Sequence, residues 1–251
     1  LLTHSSGLKP FVEFYKKNPR MQKDQMIEEI LNLNLDFSPG EKMQYSDLGI
    51  IILMDIIEKV SGSTLDKLCD KWIFNKIDML STSYNPDASL VAKIAPTEDD
   101  DYYRNRLLQG EVHDENAYLL GGVSGHAGIF SNAHDLAKYA QLFLNKGTWL
   151  GNRIFSDSSI DEFTTRQNLP PGSDYALGWD TPSRNGKSSA GDYFSDKSYG
   201  HLGFTGTSLW VDSENDVIVV LLTNRVHPTR EKKGMYSVRR SFHTEIMKAI
   251  L

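Results

Sequence analysis

The hydrophobic pattern of the chain changes from the period of helices to that of strands, and this change constrains the fold more than any other feature. In residues 46–60, apolar side chains recur every three or four positions, which predicts an amphipathic helix that Gly62 ends. Residues 206–211 and 217–223 have the composition of strands and are separated by polar turn-forming residues, which predicts a hairpin. Helices followed by antiparallel strands indicate an α+β fold.

The same patterns predict the other regular elements. A second helix is expected from about residue 63 to 73, and a third follows Ser131, which is a good N-cap. The third helix has Asp135 in its first turn, where the helix dipole favours negative charge. Residues 175–179 are a further candidate strand, and a last helix is predicted from about residue 236 to 251.

The loops and the subdomains follow from these elements. Residues 81–128 are predicted to be a long polar loop region in which the acidic run 98–101 is exposed, with an ion site as the alternative. Residues 183–195, rich in Gly and Ser, are predicted to form a mobile loop. We therefore expect a mainly helical subdomain in residues 1–150, and an antiparallel sheet flanked by helices, including the C-terminal one, in residues 151–251.

The composition excludes several classes of protein. The 251 residues carry a net charge of −6 without a basic stripe, which argues against nucleic acid as a partner. The single Cys69 rules out an internal disulfide framework and a cysteine-rich metal site. No stretch approaches about eighteen apolar residues, so we expect no membrane span in this chain.

Tyr45, Ser46 and Asp47 follow a Pro-Gly turn and stand at the start of the first predicted helix. The positive potential at a helix N-terminus favours a phenolate, which would make Tyr45 a usable base. Ser46 can cap the helix, and Asp47 can accept backbone N–H bonds or reach into a cleft. Taken alone, the three residues also fit a capped helix start with a packed tyrosine.

Residues 201–206, His-Leu-Gly-Phe-Thr-Gly, lead into the strand predicted over residues 206–211. Glycines at the head of a strand let a substrate approach closely, and an edge strand can bind an extended acyl chain and supply an oxyanion donor. The imidazole of His201 would be a switchable donor at the mouth of such a site. A glycine-rich strand start with a histidine is also common where the role is structural.

Residues 121–131 are rich in glycine and directly precede a predicted helix. Such a segment can form an anion-binding nest. It lacks the Gly-Lys-Ser/Thr ending of a phosphate loop, so we predict a tight, closely packed turn.

In their order and spacing, these motifs resemble the serine β-lactamase, D,D-peptidase and esterase superfamily, especially its class C-like branch. Residues 1–8 resemble the segment that follows the family's Ser-x-x-Lys, and residues 37–47 resemble its Pro-Gly…Tyr-x-Asn element. Residues 121–136 resemble its glycine-rich turn and following helix, and residues 201–203 stand in the place of its Lys-Thr-Gly triad. Residues 110–117 further resemble β-lactamase-like domains fused to family 3 glycoside hydrolases. The resemblance covers nearly the whole chain.

The resemblance implies acyl transfer, in which a serine attacks a carbonyl and water or another acceptor then releases the acyl-enzyme. By analogy, Tyr45 would shuttle the proton together with a lysine, and Asp47 would contact the substrate's amide or that lysine. His201 would bind the carboxylate or leaving-group side, and the backbone N–H of Phe204 would complete an oxyanion hole. The further substrate-binding residues that the resemblance implies are Gly203, Thr205, Gly206 and His113.

Two positions depart from the family's pattern. Asp47 replaces the usual Asn, which exchanges a donor-acceptor for an anion and disfavours carboxylated substrates such as penicillins. His201 and Leu202 replace Lys-Thr, which removes a permanent charge and a hydroxyl. Both changes favour an esterase or peptidase acting on an ester, an amide or a peptidoglycan-type D-amino acid substrate over efficient β-lactam hydrolysis.

The family's nucleophile is not recognised in this chain. In the one formal Ser-x-x-Lys, which runs from Ser6 to Lys9, Gly7 and the following Pro10 disfavour the helix that would bring serine and lysine one turn apart. We expect the nucleophile and the first strands of the sheet to lie upstream of Leu1. The alternative is a catalytically inactive domain that binds cell-wall or glycan ligands. In both cases this chain alone would be nearly inert.

A metal hydrolase is an alternative from another class of enzyme, since the chain has seven histidines, one of them His113 beside Asp114. No His-x-His or His-Glu-x-x-His spacing supports it, so we expect neither a metal nor another cofactor. The expected partners are a small-molecule or peptidoglycan-derived substrate and a fused or associated upstream domain. By resemblance, the expected location is periplasmic or extracytoplasmic.

Overall fold

Short helices and strands alternate through the first half of the chain and a three-stranded sheet dominates the second. The computed structural model describes residues 1–184, 186 and 188–251. Within these residues the α-helices are α1 Phe14–Lys17, α2 Lys23–Leu31, α3 Asp47–Ser61, α4 Leu65–Trp72, α5 Glu115–Leu119, α6 Ala133–Leu144, α7 Asp157–Thr164 and α8 Met235–Ile250. The strands are β1 Ser83–Tyr84, β2 Glu98–Asp100, β3 Arg106–Leu108, β4 Ile129–Phe130, β5 Thr148–Trp149, β6 Asn152–Arg153, β7 Ser198–Leu202, β8 Ser208–Asp212 and β9 Val217–Leu221. Among the described helices, none is long and apolar enough to cross a membrane.

The chain forms two compact units, of which the first contains Leu1–Asn75 and Ser81–Ser131. Its core lies where α2 packs on α3. The buried core residues are Phe14, Met21, Met26, Ile27, Ile30, Leu48, Ile51, Ile52 and Met54. Burial of this apolar surface is the main stabilising contribution in this unit.

Helix α3 confirms the first predicted helix together with both of its ends. The Ser46 hydroxyl accepts the Gly49 N–H at 3.2 Å, and Gly62 ends the helix in the left-handed region at φ 67°. The predicted apolar face is only partly correct, because Ile56 and Val60 are 45% and 84% exposed. Helix α4 is also confirmed, although none of its residues is buried.

The prediction of a long exposed loop over residues 81–128 was wrong, since β1, β2, β3 and α5 lie within this segment. The acidic run contributes to β2, and Asp100 is only 1% exposed. Its carboxylate accepts backbone N–H bonds from Tyr102, Tyr103 and Arg104, and it also pairs with the Arg104 side chain. Burial raises the pKa of Asp100, but these bonds outweigh it and lower the pKa to about 2. The carboxylate is therefore both buried and ionised.

The second unit contains Lys76–Leu80 and Asn132–Leu251. Its sheet is antiparallel in the order β7-β8-β9, so β8 is the central strand. Helix α6 packs on β8 and β9, and it therefore belongs to this unit rather than to the first predicted subdomain. The core on that side consists of Ala140, Phe143, Ile160, Ala176, Trp179, Tyr199 and Val211.

Several element boundaries in this unit differ from prediction. The strand β7 was not predicted, and residues 175–179 do not form a strand, because their backbone groups bond irregularly and only Asp180 bridges to Gly200. Helix α6 is capped by Asn132, whose side chain accepts the Asp135 N–H at 2.8 Å, and not by Ser131. Helix α8 and the β8–β9 hairpin confirm the predicted C-terminal elements, and the fold class is α+β.

Part of the segment predicted to be mobile is buried. Asn185 and Lys187 lie outside the described residues. In the remainder, the carbonyl oxygen of Ser189 accepts from His243 Nδ1 at 2.7 Å, and the Asp192 N–H donates to the Thr244 hydroxyl at 3.2 Å. The described part of this segment is thus bonded to α8.

Candidate active site

His4 holds the start of α3, where Tyr45 and Asp47 flank the capping serine. The rings of His4 and Tyr45 lie 4.2 Å apart between centroids, and the Ser46 N–H donates to His4 Nδ1 at 3.2 Å. His4 is 2% exposed and has a left-handed φ of 52°. Since Nδ1 accepts, the proton of the neutral ring lies on Nε2. His4 therefore orients both the tyrosine ring and the backbone beside it, a role that the sequence did not predict.

The pKa of Tyr45 is raised, contrary to the expectation from its place at a helix N-terminus. Desolvation of the phenol and then the charge of Asp47 raise the pKa to about 12. Tyr45 is 41% exposed, so a ligand has access to the ring. In the described chain the phenol is therefore protonated at neutral pH.

Asp47 lies in a cluster with Asp114 and His126. One ligand atom of each residue lies within 4.8 Å of those of the other two, and His126 Nε2 is bonded to Asp114 at 2.9 Å. Burial lowers the pKa of His126, but the bond to Asp114 and the charges of both carboxylates raise it overall. Burial and the charge of Asp114 raise the pKa of Asp47, while His126 opposes them. Asp47 is thus electrostatically coupled to two residues that no motif had connected with it.

Ser124, His126 and Asp114 form a hydrogen-bonded chain that resembles a catalytic triad in composition. The Ser124 hydroxyl lies 2.8 Å from His126 Nδ1, on the opposite side of the ring from Asp114. Ser124 is 1% exposed, and its carbonyl oxygen accepts from Tyr84. Because this hydroxyl is shielded from solvent, it is not presented as a nucleophile. The three hydrogen-bonded side chains instead hold the glycine-rich segment in place.

Asp47, Asp114 and His126 are also the described residues that could hold a metal ion. Both ring nitrogens of His126 already have protein partners, Ser124 and Asp114. A cation would have to displace one of these bonds, so the geometry favours a charge network over a metal centre.

The glycine-rich segment packs directly on α3, which confirms the predicted tight turn. A Cβ at Gly125 would lie 2.8 Å from the carbonyl oxygen of Ile50 and 2.9 Å from its Cγ2. Glycine is therefore needed at this position for close approach to the helix. The contact brings His126 to the end of α3 that carries Asp47.

His113 is bonded to a buried carboxylate. Its Nε2 lies 2.7 Å from Glu98, and the two side chains are 10% and 5% exposed. Arg104 donates to the carbonyl oxygen of His113. The predicted role of His113 in substrate binding stays a prediction.

His201 lies on β7, an edge strand of the described sheet, and not on the strand that follows the turn. That following strand, β8, is central, so it is not an edge strand that could bind an extended acyl chain. Nδ1 of His201 lies 3.0 Å from the Leu202 carbonyl oxygen, which can only accept, so the neutral ring has its lone pair on Nε2. Burial lowers the pKa of His201. At neutral pH the ring is therefore neutral, with its proton on Nδ1, and Nε2 becomes a donor only on protonation.

The hairpin turn between β7 and β8 contains the remaining predicted residues of this motif. The Gly203 N–H donates to the Thr207 carbonyl at 2.8 Å, and the Gly206 N–H donates to the Gly203 carbonyl at 3.0 Å. Gly206 has φ 113°, and a Cβ there would lie 2.4 Å from the Thr223 hydroxyl. Phe204 is 59% exposed at the tip of the turn, and Thr205 follows it.

The predicted residues therefore fall into two groups. Tyr45 and Asp47 lie in the first unit, and His201 and the Gly203–Gly206 turn lie in the second. Their meeting in one active site stays a prediction. Ser6 and Lys9 lie in irregular backbone, which confirms that they do not share a helical turn.

Comparison with known proteins identifies a consistent set of similar chains. The family model described as Beta-lactamase matches residues 1–243. The chain is 36% identical over 249 residues to the N-acetylmuramyl-L-alanine amidase of Bacillus subtilis (strain 168), covering 90% of this chain and 55% of that protein. It is 34% identical over 249 residues to a putative D-alanyl-D-alanine carboxypeptidase of Salmonella paratyphi B, covering 90% of this chain and 56% of that protein.

The fold is similar to that of solved structures at lower sequence identity. A novel penicillin-binding protein homolog from Caulobacter crescentus superimposes with a TM-score of 0.71 at 15% identity, over 100% of this chain and 70% of that one. This similarity concerns the fold alone. The chain spans about half the length of the curated relatives that it matches.

Proposed function

Because the chain belongs to the Beta-lactamase family, we propose that it supplies residues of the active site of a serine hydrolase that works through an acyl-enzyme. The observation that carries the proposal is the start of α3, where the buried His4 ring lies 4.2 Å from that of Tyr45 between centroids and Ser46 caps the helix beside Asp47. An accessible phenol in contact with a buried partner is suited to proton transfer.

The raised pKa of Tyr45 means that proton transfer by this phenol would be assisted by a cation beside it. A phenol with a pKa of about 12 is a poor base at neutral pH. An adjacent lysine ammonium would lower the pKa by favouring the phenolate. A Ser-x-x-Lys upstream of Leu1, together with the first strands of the sheet, would supply both the lysine and the serine that Tyr45 assists.

The site favours ester, amide or peptidoglycan-type D-amino acid substrates. The carboxylate of Asp47 repels an anionic substrate, and neutral His201 lacks the permanent charge that a lysine would offer. The names of the amidase and carboxypeptidase relatives support a substrate derived from peptidoglycan. Such a substrate is found outside the cytoplasm, so the proposal includes an extracytoplasmic location.

A catalytically inactive domain that binds cell-wall or glycan ligands is the second candidate. It is favoured by the irregular backbone of Ser6 to Lys9, because the described residues contain no serine and lysine one helical turn apart at that formal motif. Binding would then use the same predicted residues without turnover.

Covalent labelling separates the two candidates. The chain is extended upstream in its natural sequence and treated with a fluorescent acyl-phosphonate or penicillin probe, and the labelled residue is identified by mass spectrometry. We expect one upstream serine to be labelled, and we expect Tyr45→Phe to slow labelling by roughly 100-fold or more, the lower end of acid-base contributions.

Tyr102→Phe, a loss of another partly exposed phenol, is the control and should label at the rate of the parent. Persistent failure to label, with retained binding of a muropeptide, would reject the enzyme and support the binding domain.

A further inference from the structure

Arg239, on α8, extends a buried guanidinium to the hairpin turn between β7 and β8. The residue is 8% exposed. Its guanidinium donates to the carbonyl oxygens of Gly203, Thr207 at 2.8 Å and Gly206 at 3.3 Å. One side chain therefore binds three of the five carbonyls of this turn.

The charge of Arg239 has no carboxylate partner among the described residues. The charged neighbour that acts on the pKa of Arg239, after burial, is another cation, Arg225. Its Nε donates to the Phe204 carbonyl at 2.7 Å, and its guanidinium lies 4.3 Å from the centre of the Phe204 ring. Burial of an arginine without a counter-ion is costly unless its N–H groups are satisfied. Here backbone carbonyls satisfy them, so the turn and the guanidinium stabilise each other.

The bond from Arg239 to Gly203 acts with the turn bond from the Gly206 N–H to set the direction of the next N–H. A peptide unit is planar and trans, so the carbonyl of one residue and the N–H of the next point in opposite directions. When the Gly203 carbonyl is directed at Arg239, the Phe204 N–H must point away from α8. In the same way, the bond from Arg225 to the Phe204 carbonyl directs the N–H of Thr205.

We propose that Arg239 is a positioning residue that aims and polarises the Phe204 N–H, the predicted oxyanion donor of this chain. The inference rests on the proposed acyl-enzyme function. A donor contributes to oxyanion stabilisation when it is oriented before the charge develops. A cation bonded to the carbonyl of the same peptide unit also polarises that unit, which makes its N–H a stronger donor.

The amide resonance of Phe204 tests the positioning without any need for turnover. The chain is labelled with ¹⁵N at its 11 phenylalanines, and Arg239→Met and Arg239→Lys are compared with Arg240→Met. Arg240 is the matched control, because it lies next along α8 and bonds to Gly186 and Asp192 instead of the turn. We expect the Phe204 amide to shift in Arg239→Met, to shift less in Arg239→Lys, and to stay in place in Arg240→Met.

Turnover by the upstream-extended protein tests the catalytic consequence. Loss of an entire oxyanion donor costs roughly 100- to 1000-fold in kcat, so we expect Arg239→Met to lose about 10- to 100-fold in kcat, with little change in KM. Arg239→Lys keeps the charge but not the planar set of donors, and it should recover part of the loss. Arg240→Met should keep parental kcat. Thermal melting of each variant separates loss of fold from loss of donor.

The outcomes distinguish this inference from the proposed function. A Phe204 amide that is unmoved in both Arg239 variants, or a kcat that falls no further in Arg239→Met than in Arg240→Met, overturns the inference while leaving the acyl-enzyme in place. A parent that forms no acyl-enzyme rejects the proposed function and its oxyanion donor together, even when the amide shifts. A shift in the amide with a selective fall in kcat supports both.

Discussion

At the scale of single residues, the charge of Asp47 affects the pKa values of two neighbours. After burial, it is the second cause that raises the pKa of Tyr45, and after Asp114 it contributes to raising the pKa of His126. The pattern Tyr-x-Asp locates these residues in the sequence, but it does not give their protonation. The pKa of Asp47 depends, after burial, on His126 and Asp114, which lie far along the chain and were not predicted to contribute.

We predict that Asp47→Asn lowers the pKa of Tyr45. Desolvation, the larger cause, remains in the variant, so the pKa should lie between the ordinary value of 10 and the parental value of about 12. The measurement is an NMR titration of the ring carbon that bears the hydroxyl, in protein labelled at tyrosine. Asp24→Asn removes an exposed carboxylate on α2 and should leave the titration unchanged. A Tyr45 pKa that is the same in Asp47→Asn and the parent would show that burial alone raises it.

His4 and Arg239 show which residues sequence reasoning cannot identify. Each acts on a predicted motif through a hydrogen bond to backbone more than thirty positions away. Backbone groups leave no trace in the side-chain pattern, so their partners become visible only when the fold brings them together. The motifs gave the location of the candidate site, whereas the residues that orient it required the structure.

At the scale of elements, the longest helices were predicted and the shortest strands were missed. Helices α3 and α8 have 15 and 16 residues, long enough for a clear helical period, and both were predicted. The strands β1 and β4 have two residues each and were missed. β7 was missed because its residues Ser-Tyr-Gly-His-Leu do not alternate between apolar and polar.

We predict that Gly125→Ala weakens the contact between the glycine-rich segment and α3. The new methyl group would lie 2.8 Å from a backbone oxygen, so the segment must move. We expect the free energy of unfolding to fall by about 1–3 kcal/mol, as for other overpacked sites. Urea denaturation at neutral pH measures the change.

Gly49→Ala is the matched control on the facing helix. The nearest atom to its Cβ is a side-chain carbon at 3.5 Å, an ordinary contact, and alanine favours a helix over glycine by up to about 1 kcal/mol. This variant should be as stable as the parent or more stable. Equal stability of Gly125→Ala and the parent would show that the turn on α3 tolerates a side chain.

At the scale of the whole molecule, the dependence of stability on pH is the sum of opposing titrations. Burial lowers the pKa of His243 in the folded protein. The contribution of this residue to stability is therefore fully present above the pKa that it has in the unfolded chain, and it is lost as the pH falls through the folded pKa. Asp180 acts in the opposite direction, because burial and then the charge of Asp174 raise its pKa to about 7, against the opposing Thr181 N–H and Arg166. Composition gives the net charge and the hydrophobic pattern gives the fold class. Neither predicts whether a titrating side chain gains or loses its contribution to stability as the pH rises.

We predict that Asp180→Asn becomes more stable relative to the parent as the pH rises. The Asp180 carboxyl has a pKa of about 7 in the folded protein and an ordinary pKa of 3.8. Its contribution to the free energy of unfolding is therefore fully present below pH 3.8 and is lost as the pH rises through the folded pKa. Asparagine does not titrate, and the backbone bonds of this residue to Gly200 remain. The difference in unfolding free energy, variant minus parent, should therefore increase between these two pH values and stay constant above them. Asp216→Asn, at an exposed turn position, should show no such trend in urea denaturation, and a difference for Asp180→Asn that is equally flat would mean that its carboxyl is ionised throughout the range.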